Sequence, residues 1–175
     1  MPVETTRVAK WFLYLGVLNA LAAVIFTIPM VIPGGNPPGS SDLLQMAFAV
    51  AFFPGLYILM GYVGFLVVGA AGTIAWAAAY YIIGSAMGKT HTSRGMATLH
   101  LVLGTIGIYG TAVFFFAGGF LGGTARLSGA AKTVDDAMTL ISWTVLPRMG
   151  FIALALVGNL VGVLNALKTI RSKAA

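Results

Sequence analysis

The feature that most constrains this chain is an apolar run of 41 residues, Leu43–Ile83, that contains no charged side chain. As one straight α-helix it would be about 60 Å long, twice the hydrocarbon core of a bilayer. Pro54-Gly55 interrupts the run, and a proline breaks a helix because it removes a backbone hydrogen bond and crowds the preceding turn. We therefore predict a short interfacial or re-entrant helix over Asp42–Phe53 and a spanning helix over Leu56–Ile83.

Three further apolar segments are long enough to cross a membrane. Hydrophobic residues make up 59% of the chain and charged residues 8%, against about 25% charged residues in soluble domains. We predict an all-α, polytopic transmembrane bundle of about four spans in a single domain, residues 1–175. A second short interfacial helix is predicted over Ala137–Leu146, before Pro147. The three further spanning segments are Trp11–Ile32, Met96–Leu121 and Met149–Leu167.

The two segments that contain these prolines resemble each other at an offset of 93 residues. Each has an Asp twelve residues before the proline, and a glycine recurs at the same offset in the helix that follows. The pattern favours a duplicated two-span unit with halves 1–89 and 90–175. The alternative is chance similarity among apolar segments. The matched pairs are Asp42 with Asp135, Pro54 with Pro147 and Gly69 with Gly162.

The distribution of Lys and Arg predicts the orientation in the membrane. Four spans put both termini on one side, where seven basic residues fall against three on the other side. The positive-inside rule then places both termini in the cytoplasm. We expect the chain to lie in the plasma membrane. The seven residues are Arg7, Lys10, Lys89, Arg94, Lys168, Arg171 and Lys173.

Composition also excludes several classes of function. The chain has no cysteine, which rules out disulfides, zinc–thiolate sites, iron–sulfur clusters and thiol catalysis within it. Its net charge of +6 comes from basic residues scattered at segment ends. Because these residues form no stripe, we expect no nucleic-acid partner. Membrane lipids and other membrane subunits are the expected partners, and a homo-oligomer is a further option.

His100 is the one histidine inside an apolar segment. It is a candidate ligand for haem or a metal, but six-coordinate haem needs a second ligand and His91 lies in a polar loop. The other reading is an imidazole that hydrogen-bonds a neighbouring helix near the interface. We predict the second reading, with no cofactor, no metal site and no catalytic residue.

Two other charged sites have a structural and a functional reading. Asp135-Asp136 precede a helix, where carboxylates cap free N–H groups and complement the helix dipole. Arg148 follows Pro147 at the start of the last span, so its side chain is expected to reach lipid headgroups at the interface. The functional reading of Arg148 is a contact with an anion, a lipid or a partner subunit.

Small residues inside the spans are predicted to serve helix packing. Gly158 and Gly162 form a GxxxG pattern in the last span, and Gly104 and Gly107 recur in the third. Small residues let helix backbones approach closely where lipid supplies no hydrophobic driving force. Buried amides should join the same helices by hydrogen bonds. The amides are Asn19, Asn159 and Asn165.

Two stretches resemble spans of the catalytic subunit of haem–copper oxidases and nitric oxide reductases. They read GYVGFLVVGAAGTIAWAAAYYI from Gly61 and LHLVLGTIGIYGTAVFFFAGGFLGGTARLSG from Leu99. The resemblance lies in the order of residue types along the chain: a histidine, then glycines, an aromatic residue and a basic residue. That family builds its metal sites from several histidines, and this chain has two. The resemblance therefore implies neither a copper site nor oxygen chemistry, but a small subunit that accompanies such an oxidase. The order is carried by His100, Gly104, Gly107, Tyr109 and Arg126.

The sequence predicts a non-catalytic integral membrane subunit of a larger membrane complex, with a respiratory oxidase as the first candidate. One alternative is a small oligomeric transporter or channel, in which Pro54 and Pro147 break helices along the substrate path. The other alternative is a membrane haem protein that uses His100. The partners found after gentle detergent extraction discriminate among the three.

Overall fold

The chain folds into a bundle of long helices in the computed structural model, which describes residues 2–31 and 54–172. The described elements include five α-helices and two three-residue strands. In chain order they are β1 Pro2–Glu4, α1 Thr5–Val31, α2 Leu56–Ala86, β2 His91–Ser93, α3 Arg94–Leu127, α4 Val134–Leu140 and α5 Val145–Arg171.

Four of these helices are long and apolar enough to cross a membrane, which confirms the predicted class. The spans cover Thr5–Thr27, Leu56–Ala86, Arg94–Leu127 and Ser142–Arg171. Many large apolar side chains on their outer faces are exposed, as expected for helices whose solvent is lipid. The protein is therefore a multi-pass membrane protein.

Several helices are longer than the uncharged segments that the sequence predicts as their spans. α3 has 34 residues, from Arg94 to Leu127, so it is about 50 Å long and longer than the hydrocarbon core. A helix keeps its backbone hydrogen bonds when it leaves the membrane, so charged residues such as Arg126 mark the interface without ending the helix. Glycines with φ of 65° and 76°, Gly88 and Gly129, lie just beyond the ends of α2 and α3, where only glycine adopts this conformation without strain.

The predicted break before the last span exists, but its position differs from the prediction. The short helix α4 ends at Leu140, and a 3₁₀ turn over Ser142–Thr144 leads directly into α5 at Val145. Pro147 lies inside the first turn of α5, where its missing N–H costs no helical hydrogen bond. The predicted helix over Ala137–Leu146 was therefore wrong in its bounds. The predicted helix over Asp42–Phe53 lies outside the described residues.

α2 contains two π-helical stretches, Phe65–Ala71 and Ile82–Ala86. The backbone N–H of Gly72 donates to the carbonyl of Val67, five residues earlier. Each such stretch inserts an extra residue and shifts the faces of the helix, so a regular 3.6-residue pattern does not describe α2. π-helical turns of this kind are frequent at functional sites.

Glycines set the distances between the helices. A Cβ atom added at Gly16 would lie 2.6 Å from Ile74 Cγ1, which brings α1 against α2. At Gly119 an added Cβ would lie 2.6 Å from the backbone nitrogen of Ile58, which brings α3 against α2. α3 and α5 form the most extensive contact of the bundle.

The two strands tie the N-terminal segment to the α2–α3 connection. They pair antiparallel, with Val3 opposite Thr92. Each strand directly precedes the first long helix of one predicted half of the chain, β1 before α1 and β2 before α3. The duplication of the two-span unit remains a prediction.

Candidate functional site

His100 is enclosed between α1, α2 and α5 and is 2% exposed. The centre of its ring lies 4.7 Å from that of Phe12 and 4.5 Å from that of Trp76. On the α5 side, a Cβ added at Gly162 would overlap the imidazole at Nδ1 and Cε1. Nδ1 is buried and has no hydrogen-bond partner within the described residues. His100 is thus a packed ring in an aromatic cage, and the predicted hydrogen bond to another helix is not made by Nδ1.

The predicted packing glycines lie at one contact between α3 and α5. A Cβ added at Gly158 would lie 2.7 Å from the backbone nitrogen of Gly104, and one added at Gly107 would lie 2.7 Å from Ala155 Cα. Gly162 receives the ring of His100. At Gly158 and Gly107 the two helices therefore approach backbone to backbone.

Asn19 joins three helices at the middle of the bundle and is 1% exposed. Its Nδ2 donates to the carbonyl of Gly69 at 2.6 Å, in the π-helical stretch of α2. Its Oδ1 accepts from the hydroxyl of Tyr109 on α3 at 2.7 Å. Thr73 Oγ1 donates to the same Gly69 carbonyl at 2.5 Å. A buried amide with all these partners satisfied rigidifies the bundle.

The other two predicted amides connect α2 to α5. Asn159 Oδ1 accepts from the indole N–H of Trp76 at 2.9 Å. Asn165 Nδ2 donates to the hydroxyl of Tyr80 at 3.2 Å, and its Oδ1 accepts from Thr92 at 3.1 Å. The prediction that these amides join helices is confirmed.

The side chain of Arg148 does not extend outward along the membrane interface, because it is buried and 7% exposed. Its guanidinium carbon lies 4.4 Å from the ring centre of Tyr57 and 4.6 Å from that of Phe115. Nη1 is buried without a hydrogen-bond partner, and no carboxylate of the described residues lies within ion-pair distance. A cation–π contact stabilises by about 0.5–2 kcal/mol, whereas burial of an unpaired cation costs several kcal/mol. The two rings alone do not offset the burial of this charge.

A groove opens next to Arg148 between α2 and α5, with α3 as its floor. It contains a cavity of about 200 Å³. The residues that line it are almost entirely apolar, and Met60 and Leu156 at its rim are exposed to the membrane side. Phe115 both lines the groove and contacts Arg148. Above and below the groove, α2 and α5 touch through Tyr57–Arg148 and Trp76–Asn159.

A smaller cavity of about 50 Å³ continues from the groove into the bundle. Both cavities are lined by Val68, Ile108 and Asn159. The smaller one is also lined by His100 and Asn19. It is large enough for a few water molecules and has polar partners for them.

The acidic pair is found at the start of α4. Asp136 Oδ2 accepts from the backbone N–H of Thr133 at 2.8 Å and of Lys132 at 3.1 Å, and Thr133 Oγ1 accepts from the N–H of Asp136 at 3.1 Å. The bond from the Thr133 N–H is the main cause that holds the pKa of the Asp136 carboxyl below its usual value. The predicted capping role is confirmed for Asp136. Asp135 makes none of these bonds.

Within residues 2–31 and 54–172, no three His, Asp or Glu side chains cluster in a way that could hold a metal ion. Sequence reasoning selected Arg148 but missed its partners Tyr57 and Phe115, and it missed the groove. Both rings belong to other helices, and no local pattern relates them to Arg148.

No protein-family model matches this sequence, and neither the curated proteins nor the solved structures that were compared contain a match.

Proposed function

We propose that this chain is a non-catalytic integral membrane subunit of a larger membrane complex, with a respiratory oxidase as the first candidate for that complex. The observation that carries the proposal is that the polar groups inside the bundle hold its helices together. His100, the predicted candidate for a ligand inside the membrane, and the three amides are all engaged in contacts between helices.

The residues that carry the resemblance to oxidase spans have the same kind of role. Gly104 and Gly107 support the α3–α5 contact, and Tyr109 donates to Asn19. Arg126 donates to the backbone carbonyl of Ala131 at 3.1 Å and also to that of Lys132. These contacts support a role in scaffolding and association. The assignment to a respiratory oxidase rests on the resemblance alone.

Orientation and location belong to the same proposal. Both termini lie in the cytoplasm, because seven basic residues fall on the side of the termini and three on the other. The plasma membrane is the location that goes with this proposal. The β1–β2 pair and the C-terminal end of α5 are then at the cytoplasmic face.

A small transporter is the second candidate, and one observation favours it. The groove and the smaller cavity share Val68, Ile108 and Asn159, so a route leads from the lipid side into the bundle beside a π-helical stretch. A transporter of this size would act alone or as a homo-oligomer. The third candidate is a membrane haem protein that uses His100.

Site-specific photo-crosslinking in intact membranes tests the proposal. A benzophenone side chain is placed at Val24 on α1 or at Leu160 on α5, both of which are largely exposed. We expect one position to give a single discrete product with another membrane polypeptide, while the other position reacts mainly with lipid. Crosslinks between copies of this chain alone, or only diffuse lipid adducts at both positions, would contradict a subunit role and favour the transporter.

A further inference from the structure

The charge of Arg148 is without a counter-ion in the described part of the chain. The side chain is 7% exposed, Nη1 has no partner, and two aromatic rings flank the guanidinium at 4.4 and 4.6 Å. The described acidic residues, Glu4, Asp135 and Asp136, make no ion pair with it. A buried guanidinium of this kind has the geometry to bind the oxygens of a phosphate.

The groove extends towards the middle of the membrane from Phe115, the residue that both lines the groove and contacts Arg148. Ile152, Leu156 and Asn159 line it on α5, at four, eight and eleven residues from Arg148, so they share one face of the helix. Eleven helical residues rise about 16 Å, roughly half of the hydrocarbon core. Arg148 and the groove below it thus extend together from the interface to about the midplane, which is the depth of one leaflet.

A second unsatisfied polar group lines the groove itself. Several Thr hydroxyls of the spans donate to the carbonyl four residues earlier. Thr111 and Thr124 do not, since the Oγ1 of each is buried with no partner in the described residues, and of these two Thr111 lines the groove. Thr111 lies one helical turn closer to the middle of the membrane than Phe115, and so closer to the middle than the guanidinium of Arg148. The threonines that follow the usual pattern are Thr27, Thr73, Thr105 and Thr169.

From these observations we infer that the groove is a binding site for one anionic phospholipid of the leaflet on the Arg148 side. The phosphate pairs with the guanidinium, an ester carbonyl accepts from Thr111 Oγ1, and one acyl chain fills the apolar groove. A helix from a partner does not fit, because a helix with side chains is about 10–12 Å wide and the cavity is about 200 Å³. This site is independent of the proposed subunit role.

The test is lipid binding to the purified full-length protein by native mass spectrometry in mild detergent. Dioleoyl-phosphatidylglycerol is compared with dioleoyl-phosphatidylcholine, with and without inorganic phosphate. We expect one phosphatidylglycerol per chain, in preference to phosphatidylcholine and insensitive to millimolar inorganic phosphate. In Arg148→Gln the preference should fall about tenfold, because a charged hydrogen bond is lost. Thr111→Val should give a smaller fall, of about threefold.

A blocking variant separates lipid loss from misfolding. A Cβ added at Gly64 meets no atom within 4 Å and lies in the groove, so Gly64→Leu should fill the groove without a clash and abolish the lipid adduct. Gly150→Leu is the matched control, since Gly150 is equally open but faces away from the groove. Lys132→Gln controls for loss of an exposed charge, and neither control should change binding.

Three results would overturn the inference. The first is equal phosphatidylglycerol binding by the wild-type protein, Arg148→Gln and Gly64→Leu. The second is equal loss in the two controls, which would show diffuse attraction. The third concerns Asp42, the fourth acidic residue, which lies outside the described residues. If Asp42→Asn lowers the melting temperature as much as Arg148→Gln does, and neither changes lipid binding, the counter-ion is internal.

Discussion

The imidazole of His100 occupies the space into which a side chain at Gly162 would project. An added Cβ at Gly162 would overlap the ring at Nδ1 and Cε1, and Phe12 and Trp76 hold the ring from two other helices. One glycine on α5 therefore determines where the single intramembrane histidine of α3 can lie. This pair links the packing of the last span to the position of the residue that a cofactor would need.

A double-mutant cycle tests this relationship. We expect Gly162→Ala to destabilise by about 1–3 kcal/mol through overpacking, and His100→Ala by about 2–5 kcal/mol through the cavity it leaves. In the double variant the alanine methyl enters the vacated space, so the combined cost should fall below the sum by 0.5 kcal/mol or more, on the order seen for contacting residues. Thermal unfolding in detergent measures the three variants. Strict additivity would show that the two residues do not contact each other.

The backbone contact between α3 and α5 gives a second prediction. Gly158→Ile should lower the melting temperature strongly, because an added Cβ lies 2.7 Å from the nitrogen of Gly104 and backbone cannot move aside as a side chain can. Gly150→Ile on the same helix is the control, since a Cβ there meets no atom within 4 Å. Equal melting of the two variants would place Gly158 on a lipid-facing surface.

The orientation can be tested directly because the chain contains no cysteine that would react in the background. Ser128 and Thr90 are exposed and lie at opposite ends of α3. We expect a membrane-impermeant maleimide to label Ser128→Cys in intact cells and Thr90→Cys only after permeabilisation. The reverse pattern would place both termini outside, against the distribution of Lys and Arg.

The cap of α4 predicts a dependence on acidity. The folded-state pKa of Asp136 is lowered chiefly by the N–H of Thr133. Its contribution is therefore fully present above the unfolded-state pKa, near 4, and is lost as the pH falls through the lowered folded-state value. The melting temperature of the wild-type protein should therefore depend on pH between pH 3 and 6. Asp136→Asn should lose part of this pH dependence, and Asp135→Asn should keep it. Equal slopes in the two variants would contradict the cap. Thr133→Ala should cost about 1 kcal/mol at neutral pH.

Local sequence predicted the features that depend on composition and spacing. The four spans follow from uncharged segments of sufficient length, and the tight α3–α5 contact follows from Gly158 and Gly162. The position of the break before the last span was predicted less well, because Pro147 is tolerated in the first turn of α5 and so does not mark its start.

Features that join distant parts of the chain could not be predicted in this way. The partners of Arg148 are 91 residues earlier, at Tyr57, and 33 residues earlier, at Phe115. The π-helical stretch over Phe65–Ala71 inserts a residue that no propensity scale signals, yet it places the Gly69 carbonyl where Asn19 reaches it. The pairing of β1 with β2 rests on strands of three residues, too short for a periodic pattern.

The most direct test of the proposed subunit role is the composition of the particle that gentle detergent extraction yields. Native mass and an absorption spectrum are measured on the tagged wild-type chain and on His100→Ala. We predict a particle that contains the 18.2 kDa chain together with other membrane polypeptides in a fixed ratio, and a spectrum that His100→Ala leaves unchanged. A stable, active particle made of this chain alone, or a Soret band that disappears in His100→Ala, would contradict the account.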